Sequence, residues 1–388
     1  MVSLLIVVIY IAFISLGLPD SLLGSAWPAM FRDFDVPLSY AGIITMMIAG
    51  GTIISSLMSD RLTRRFGAGL VTAVSVLMTA VALFGFSISG SFFLLCLWAI
   101  PYGLGAGAID AALNNYVALH YASRHMSWLH CFWGVGAATS PYIMSYHLTR
   151  GLGWTSGYRF IAIIQVIVTV ILFLSLPLWK KKSVAVDQHK LSSTPLSLVQ
   201  ILKIKGVVIV LISFFSYIAL ETTAGLWASS YFVQYRGVDA EIAAKFASLF
   251  YLGITFGRFL NGFIADRIGD RRLIRFGSLI IVIGILMVGL PVAVNFLALI
   301  GLVVVGLGCA PIYPSIIHST PVNFGKNNSQ AIIGVQMASA YIGGTFIPPL
   351  FGLIADVTSI GVYPVYLLFF ALLMFIMSER LIKKLARS

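Results

Sequence analysis

Apolar runs of about twenty residues follow one another along almost the whole chain, and a run of that length, coiled as an α-helix, matches a bilayer hydrocarbon core roughly 30 Å thick. Twelve spans are predicted: Leu4–Met30, Ser39–Ser59, Ala68–Ile88, Phe92–Leu119, Ser127–Leu148, Tyr158–Trp179, Val207–Gln234, Ala243–Ile264, Arg275–Pro291, Phe296–His318, Gln330–Ile354 and Val362–Leu381. With 59% hydrophobic and only 10% charged residues, the chain has too little polar surface for a water-soluble domain. The runs are helical in length and lack the alternating ten-residue segments of an outer-membrane barrel, so the expected fold class is an all-α membrane bundle. The first run is too long for a cleaved leader, lacks a basic start and carries Pro19-Asp20, which marks it as a retained helix.

The net charge of +12 is placed as an orientation signal. Arg61, Arg64, Arg65, Arg124, Lys180, Lys181, Lys182, Lys190, Lys203, Lys205, Arg267, Arg271, Arg272, Arg275, Lys326, Arg380, Lys383, Lys384 and Arg387 fall in segments on one side of the predicted spans. Only Arg32, Arg150, Arg159, Arg236 and Lys245 fall on the other. This asymmetry predicts a multi-pass protein of the inner or plasma membrane with both termini cytoplasmic, and it accounts for the basic balance without a nucleic-acid partner. Cys96, Cys131 and Cys309 lie inside apolar runs, without CxxC spacing or neighbouring ligands, and read as small packing residues. No metal and no cofactor is expected.

One segment breaks the apolar rhythm. Lys180 through Gly206 is polar and basic, dividing the chain into an N-terminal six-helix bundle (1–179), a cytoplasmic basic linker (180–206) and a C-terminal six-helix bundle (207–388). The halves echo each other: Ser59-Asp60-Arg61-Leu62-Thr63-Arg64-Arg65 recurs as Ala265-Asp266-Arg267-Ile268-Gly269-Asp270-Arg271, and Gly103-Leu104-Gly105 as Gly306-Leu307-Gly308, a register that sets Asp110 opposite Tyr313. The stretch from Gly257 to Arg272 resembles the signature between helices two and three of the major facilitator superfamily, in its second-half copy. In the first-half copy Thr63 stands where glycine is expected. The resemblance implies a secondary transporter whose two six-helix halves rock about a central site near the bilayer midplane. An acid ending a helix can pair with an arginine or a helix N-terminus in one state and release it in the other. On that logic Asp60, Arg61, Arg64, Arg65, Arg258, Asp266, Arg267 and Arg271 are candidates for a cytoplasmic gate. The plainer alternative is that these charges stop helices and orient loops.

Three acids, Asp20, Asp110 and Glu221, fall mid-run with almost no other charge beside them. A carboxylate at membrane depth costs on the order of several kcal/mol and survives mainly where it works, so all three are candidates for proton coupling. Asp20 follows Pro19, which bends a helix and frees a carbonyl, and Trp27 lies about two turns further on. Asp110 and Asn114, four apart, share a helix face. At Asp20-Ser21-Leu22-Leu23 and at Asp110 with Asn114 the chain resembles the fucose-permease-like branch of the superfamily, whose members carry sugars with protons. The resemblance implies coupling at Asp20, and coupling with substrate contact at Asp110. Two departures stand beside it: Asp110 replaces a longer glutamate, and His130 and Trp133 stand where fucose permease has amides.

A sugar needs flat apolar surface for its C–H face and polar groups for its hydroxyls. Trp27, Trp133, Trp227 and Tyr313 offer the first, and Asn114, Asn115, His130, Gln336, Asp110 and Glu221 the second. In membrane helices such residues also serve as packing, and Glu221 has Arg258 on the next helix as a structural partner. The expected partners are a small sugar-like solute, protons and the lipid bilayer, with the protein acting as a monomer. The chain has no GxxxxGK[ST] loop for ATP and no GxGD or GxSG context for an intramembrane enzyme, so it reads as a non-enzyme. A proton-driven multidrug exporter of the same superfamily is the rival, against which the Asp110/Asn114 face favours a hydroxylated solute. Carboxylates serve H⁺ and Na⁺ alike, which leaves the ion and the direction of transport open.

Overall fold

In a computed structural model, which describes residues 4–183, 195–291 and 295–386, the chain is all helical. Its helices are α1 (Leu4–Asp20), α2 (Leu22–Asp33), α3 (Ala41–Phe66), α4 (Ala68–Ser87), α5 (Phe92–His120), α6 (Ser123–Thr149), α7 (Gly153–Ser183), α8 (Leu198–Lys203), α9 (Val207–Gln234), α10 (Ala240–Ile268), α11 (Asp270–Gly289), α12 (Asn295–Cys309), α13 (Ile312–Phe324), α14 (Lys326–Val357) and α15 (Tyr363–Ala386). Among the described residues ten segments are long and apolar enough to cross a membrane. Helices α6 and α10 occupy the places of the expected spans Ser127–Leu148 and Ala243–Ile264, and have the length, but are less apolar than those ten.

Two expected spans are interrupted. The first breaks at Ser21, just after Pro19, into α1 and α2, and the tenth breaks at Ala310-Pro311 into α12 and α13. Both breaks follow from proline's missing N–H and its clash with the preceding turn. The linker is also shorter than its composition suggests: α7 runs to Ser183, and at its far end Ser197 and Gln200 form a capping box that starts α8. Lys190, Arg387 and the side chains of Lys180, Lys181 and Lys182 lie outside the described residues.

Contacts divide the chain into two compact units. Unit 1 comprises Met1–Tyr116 with Leu129–Leu196, and unit 2 comprises Val117–Trp128 with Ser197–Ser388, so the hairpin joining α5 to α6 groups with the second unit. In unit 1, α7 packs along α4 and α1; in unit 2, α9 packs on α14 and α15, and α12 on α10 and α11. Many large apolar side chains point outward, among them Phe93, Leu174, Phe263, Leu353 and Phe369. That is the expected surface for helices whose solvent is lipid.

Backbone geometry corrects the register of the internal repeat. Gly67, between α3 and α4, and Gly269, between α10 and α11, have φ of 80° and 81°, a region open mainly to glycine. Their N–H groups bond Thr63 O and Ala265 O. Packing agrees with this pairing: a Cβ on Gly103 would meet the Ile48 carbonyl, and one on Gly306 the Phe250 carbonyl. The glycine that Thr63 appeared to lack is therefore Gly67, one helical turn later. In the structural register Arg64, not Asp60, is the counterpart of Asp266.

Candidate functional site

In each unit charged and polar side chains gather around the mid-run acids. In unit 1 it begins with a close crossing of α1 and α6. A Cβ on Gly17 would overlap the Trp133 carbonyl and lie 2.9 Å from Ala137 N, and one on Gly136 would overlap the Ile14 carbonyl. With backbones in contact, Asp20, three residues beyond Gly17, meets α6 directly. Trp133 Nε1 donates to Asp20 Oδ2 at 2.7 Å, and Tyr102 on α5 donates its hydroxyl to Oδ1 at 3.1 Å. Next to it Ser21 donates to the Ala137 carbonyl and lies 3.0 Å from Ser140 Oγ.

The kink that places Asp20 is itself satisfied. Pro19 cannot donate to Ser15 O, four residues before it, and Gln165 on α7 donates Nε2 to that oxygen at 2.6 Å. Thr79 on α4 in turn donates to Gln165 Oε1 at 2.5 Å. Ser15, Pro19, Thr79, Tyr102 and Gln165 line a small recess in unit 1.

Asp110 lies two turns along α5 from Tyr102, about 12 Å by helical rise. Asn114 Nδ2 donates to Asp110 Oδ1 at 2.7 Å and to Asp110 O at 3.0 Å. Because a backbone carbonyl accepts only, this fixes which way the amide points. His130 Nε2 must then donate to Asn114 Oδ1, at 3.0 Å. Asp110, Asn114, Asn115 and His130 are all buried. Asp20 is an exposed residue, while Glu221 is part-buried.

In unit 2 Glu221 has a cationic partner. Arg258 on α10 approaches Glu221 Oε2 to 3.6 Å, Tyr217 donates its hydroxyl to the same oxygen, and the Arg258 guanidinium sits 5.8 Å from the centre of the Tyr313 ring. Arg258 is only 2% exposed, so its place is beside Glu221 in the bundle rather than with the gate charges. Tyr313 donates to Met337 Sδ, and Gln336 accepts from Thr320 at 3.0 Å while its Nε2 is buried without a hydrogen-bond partner among the described residues. Trp227 donates to Pro348 O, and Trp27 donates to Leu38 O within the core around Phe92.

The remaining gate candidates lie at the ends of α3 and α10 and the start of α11. Asp60 is buried and takes both its bonds from Arg64 Nε on its own helix, at 2.9 and 3.0 Å. In unit 2 Asp266 pairs with Arg124 at 3.1 Å. Arg61, Arg65, Arg267 and Arg271 are exposed. Sequence reasoning missed Tyr102, Gln165 and Tyr217. The one available signal was the free carbonyl that Pro19 implies.

Comparison with known proteins now adds to this geometry. A family model described as the Major Facilitator Superfamily matches residues 9–246 and 209–384. The glucose/mannose transporter GlcP of Bacillus subtilis is 22% identical over 88% of this chain and 86% of its own length. Among solved structures, the transporter FucP in its outward conformation superposes with a TM-score of 0.82 at 16% identity, covering 97% of this chain and 98% of that one. The proton:xylose symporter XylE, bound to 6-bromo-6-deoxy-D-glucose, superposes at 0.78 with 14% identity, covering 95% and 94%.

Proposed function

The chain belongs to the Major Facilitator Superfamily, and from that premise we propose that it is a twelve-span, proton-coupled secondary transporter of a small hydroxylated solute, a sugar. The observation that carries this reading is the setting of Asp20. Its carboxylate is held only by neutral donors, an indole N–H and a phenol O–H, and among the described residues no basic side chain pairs with it. A carboxylate so held can take up and release a proton without breaking an ion pair. Glu221 has lost that freedom to Arg258, so its role moves from coupling toward charge balance within unit 2.

The Asp110, Asn114 and His130 chain supports a hydroxylated substrate, since amide and carboxylate groups match sugar hydroxyls and Trp133 beside them offers an aromatic face. The sugars named for GlcP and XylE agree with it. In this reading the protein acts as a monomer by alternating access in the plasma membrane, with both termini cytoplasmic, and has no enzymatic activity. Proteoliposomes under an imposed pH gradient test it: accumulation of one labelled sugar from a panel supports the proposal. No sugar uptake, together with extrusion of amphipathic dyes, would instead identify a multidrug exporter.

A further inference from the structure

His318 lies outside these clusters, about one and a half turns beyond Tyr313 on α13. Both of its ring nitrogens face acceptors. Nδ1 is 2.7 Å from Asp270 Oδ2 on α11, and Nε2 is 3.2 Å from the backbone carbonyl of Tyr121. The carbonyl cannot donate, so Nε2 carries a hydrogen. A bare imidazole nitrogen and an ionised carboxylate oxygen would both be acceptors, so a second proton must lie between Nδ1 and Oδ2. Asp270 is the first residue of α11, where the helix N-terminus favours a negative charge, and Ser123 donates to its other oxygen at 2.6 Å. Doubly protonated, the ring donates to both acceptors at once.

We propose that His318 and Asp270 form a proton-binding site separate from Asp20, and that its occupancy fastens the Tyr121–Ser123 segment within unit 2. The ring reaches Tyr121, and Asp270 reaches Ser123, so one protonated pair closes two bonds onto three consecutive residues. The charged groups around it are Asp266 of α10, paired with Arg124, and the exposed Arg271 and Arg272 beside Asp270. His125 packs its ring on Tyr121 at 5.5 Å. When one proton leaves, the ring can donate to only one of its two acceptors; the shorter bond from Nδ1 to the Asp270 carboxylate is kept, and Nε2 faces the Tyr121 carbonyl without a hydrogen. The segment then keeps the bond from Ser123 to Asp270, the Arg124–Asp266 pair, the bond from Asn261 to Ser127 and the bond from Trp128 to Phe259 O, but loses its attachment through α13, the bond from His318 to the Tyr121 carbonyl. Histidine is the side chain whose ordinary charge change lies nearest neutral pH. The motif that ends α10 thus gains a proton-sensitive partner on α13, one that does not depend on the identity of the transported solute.

Hydrogen exchange of the purified full chain tests this, read on a peptide covering residues 117–128 and corrected for the chemical exchange rate. Between about pH 6 and about pH 9 the wild-type segment is expected to lose protection by about tenfold, while a peptide from α9 stays constant. His318→Gln should flatten the profile, and Asp20→Asn should leave it as in the wild type. A flat wild-type profile overturns the proposal without recourse to any variant, and so does an unchanged pH dependence in a folded His318→Gln protein. None of these outcomes depends on whether a sugar is carried.

Discussion

Trp133 Nε1 donates to Asp20 Oδ2 at 2.7 Å, across a crossing where Gly17 and Gly136 bring the backbones of α1 and α6 into contact. The carboxylate expected to carry protons is thereby tied to the helix that also bears His130. A hydrogen bond to a charged group is worth about 1.5–3 kcal/mol, so removing the indole N–H while keeping an aromatic ring should be felt in coupling. Trp133→Phe is expected to slow gradient-driven uptake about tenfold or more, and Tyr102→Phe should slow it less, given its longer bond. Initial rates in proteoliposomes check the order; equal rates for wild type and Trp133→Phe would contradict it.

The crossing itself is open to a steric test. A side chain at Gly17 has no room beside Trp133 and Ala137, and overpacking of this kind costs about 1–3 kcal/mol. Gly17→Val should lower the thermal unfolding midpoint in detergent. Gly24→Val, at a position with nothing within 4 Å of an added Cβ, should leave the midpoint close to the wild-type value.

The bond from Gln165 to Ser15 O predicts a non-additive pair. Gln165→Leu strands a carbonyl that Pro19 has already deprived of its helical donor, at a cost of about 1–3 kcal/mol. In a Pro19→Ala background the helix supplies that donor itself, and the same Gln165→Leu change should cost much less. A double-mutant cycle of unfolding free energies measures the difference; additive effects would show that Gln165 does not serve the proline carbonyl.

These relationships divide what was legible in the sequence from what was not. The all-helical membrane class follows from the length of the apolar runs, and Asp20 and Asp110 are singled out by the cost of charge in lipid, both of which are local along the chain. The partners were not legible, because Tyr102, Trp133 and Gln165 reach Asp20 and Ser15 from helices far away in sequence, and nothing local marks them. The repeat register failed for a specific reason. Matching Asp60 to Asp266 follows side-chain identity, whereas α3 runs a turn further before its left-handed glycine, so Gly67 is the residue equivalent to Gly269. Trp27 shows the same limit, since only its bond to Leu38 O and its place beside Phe92 reveal that it joins the core.

Glu221 and Arg258 form a part-buried pair whose members need each other. Removing one partner of such a pair costs about 3–5 kcal/mol because the other charge is left buried and uncompensated. Glu221→Gln should therefore be strongly destabilised, and Glu221→Gln with Arg258→Met should recover much of the loss. Thermal unfolding of the single and double variants checks this. A single variant as stable as wild type would show that Glu221 is not required for charge balance.

The most direct measurement compares two modes of transport in Asp20→Asn. Substrate exchange across the membrane requires binding and reorientation but no net proton movement, whereas uptake against a gradient requires the proton. With Asp20 as the proton carrier, the variant should retain exchange of labelled sugar and lose accumulation driven by an imposed pH gradient. Accumulation that still rises with the gradient in Asp20→Asn would contradict the account at its centre.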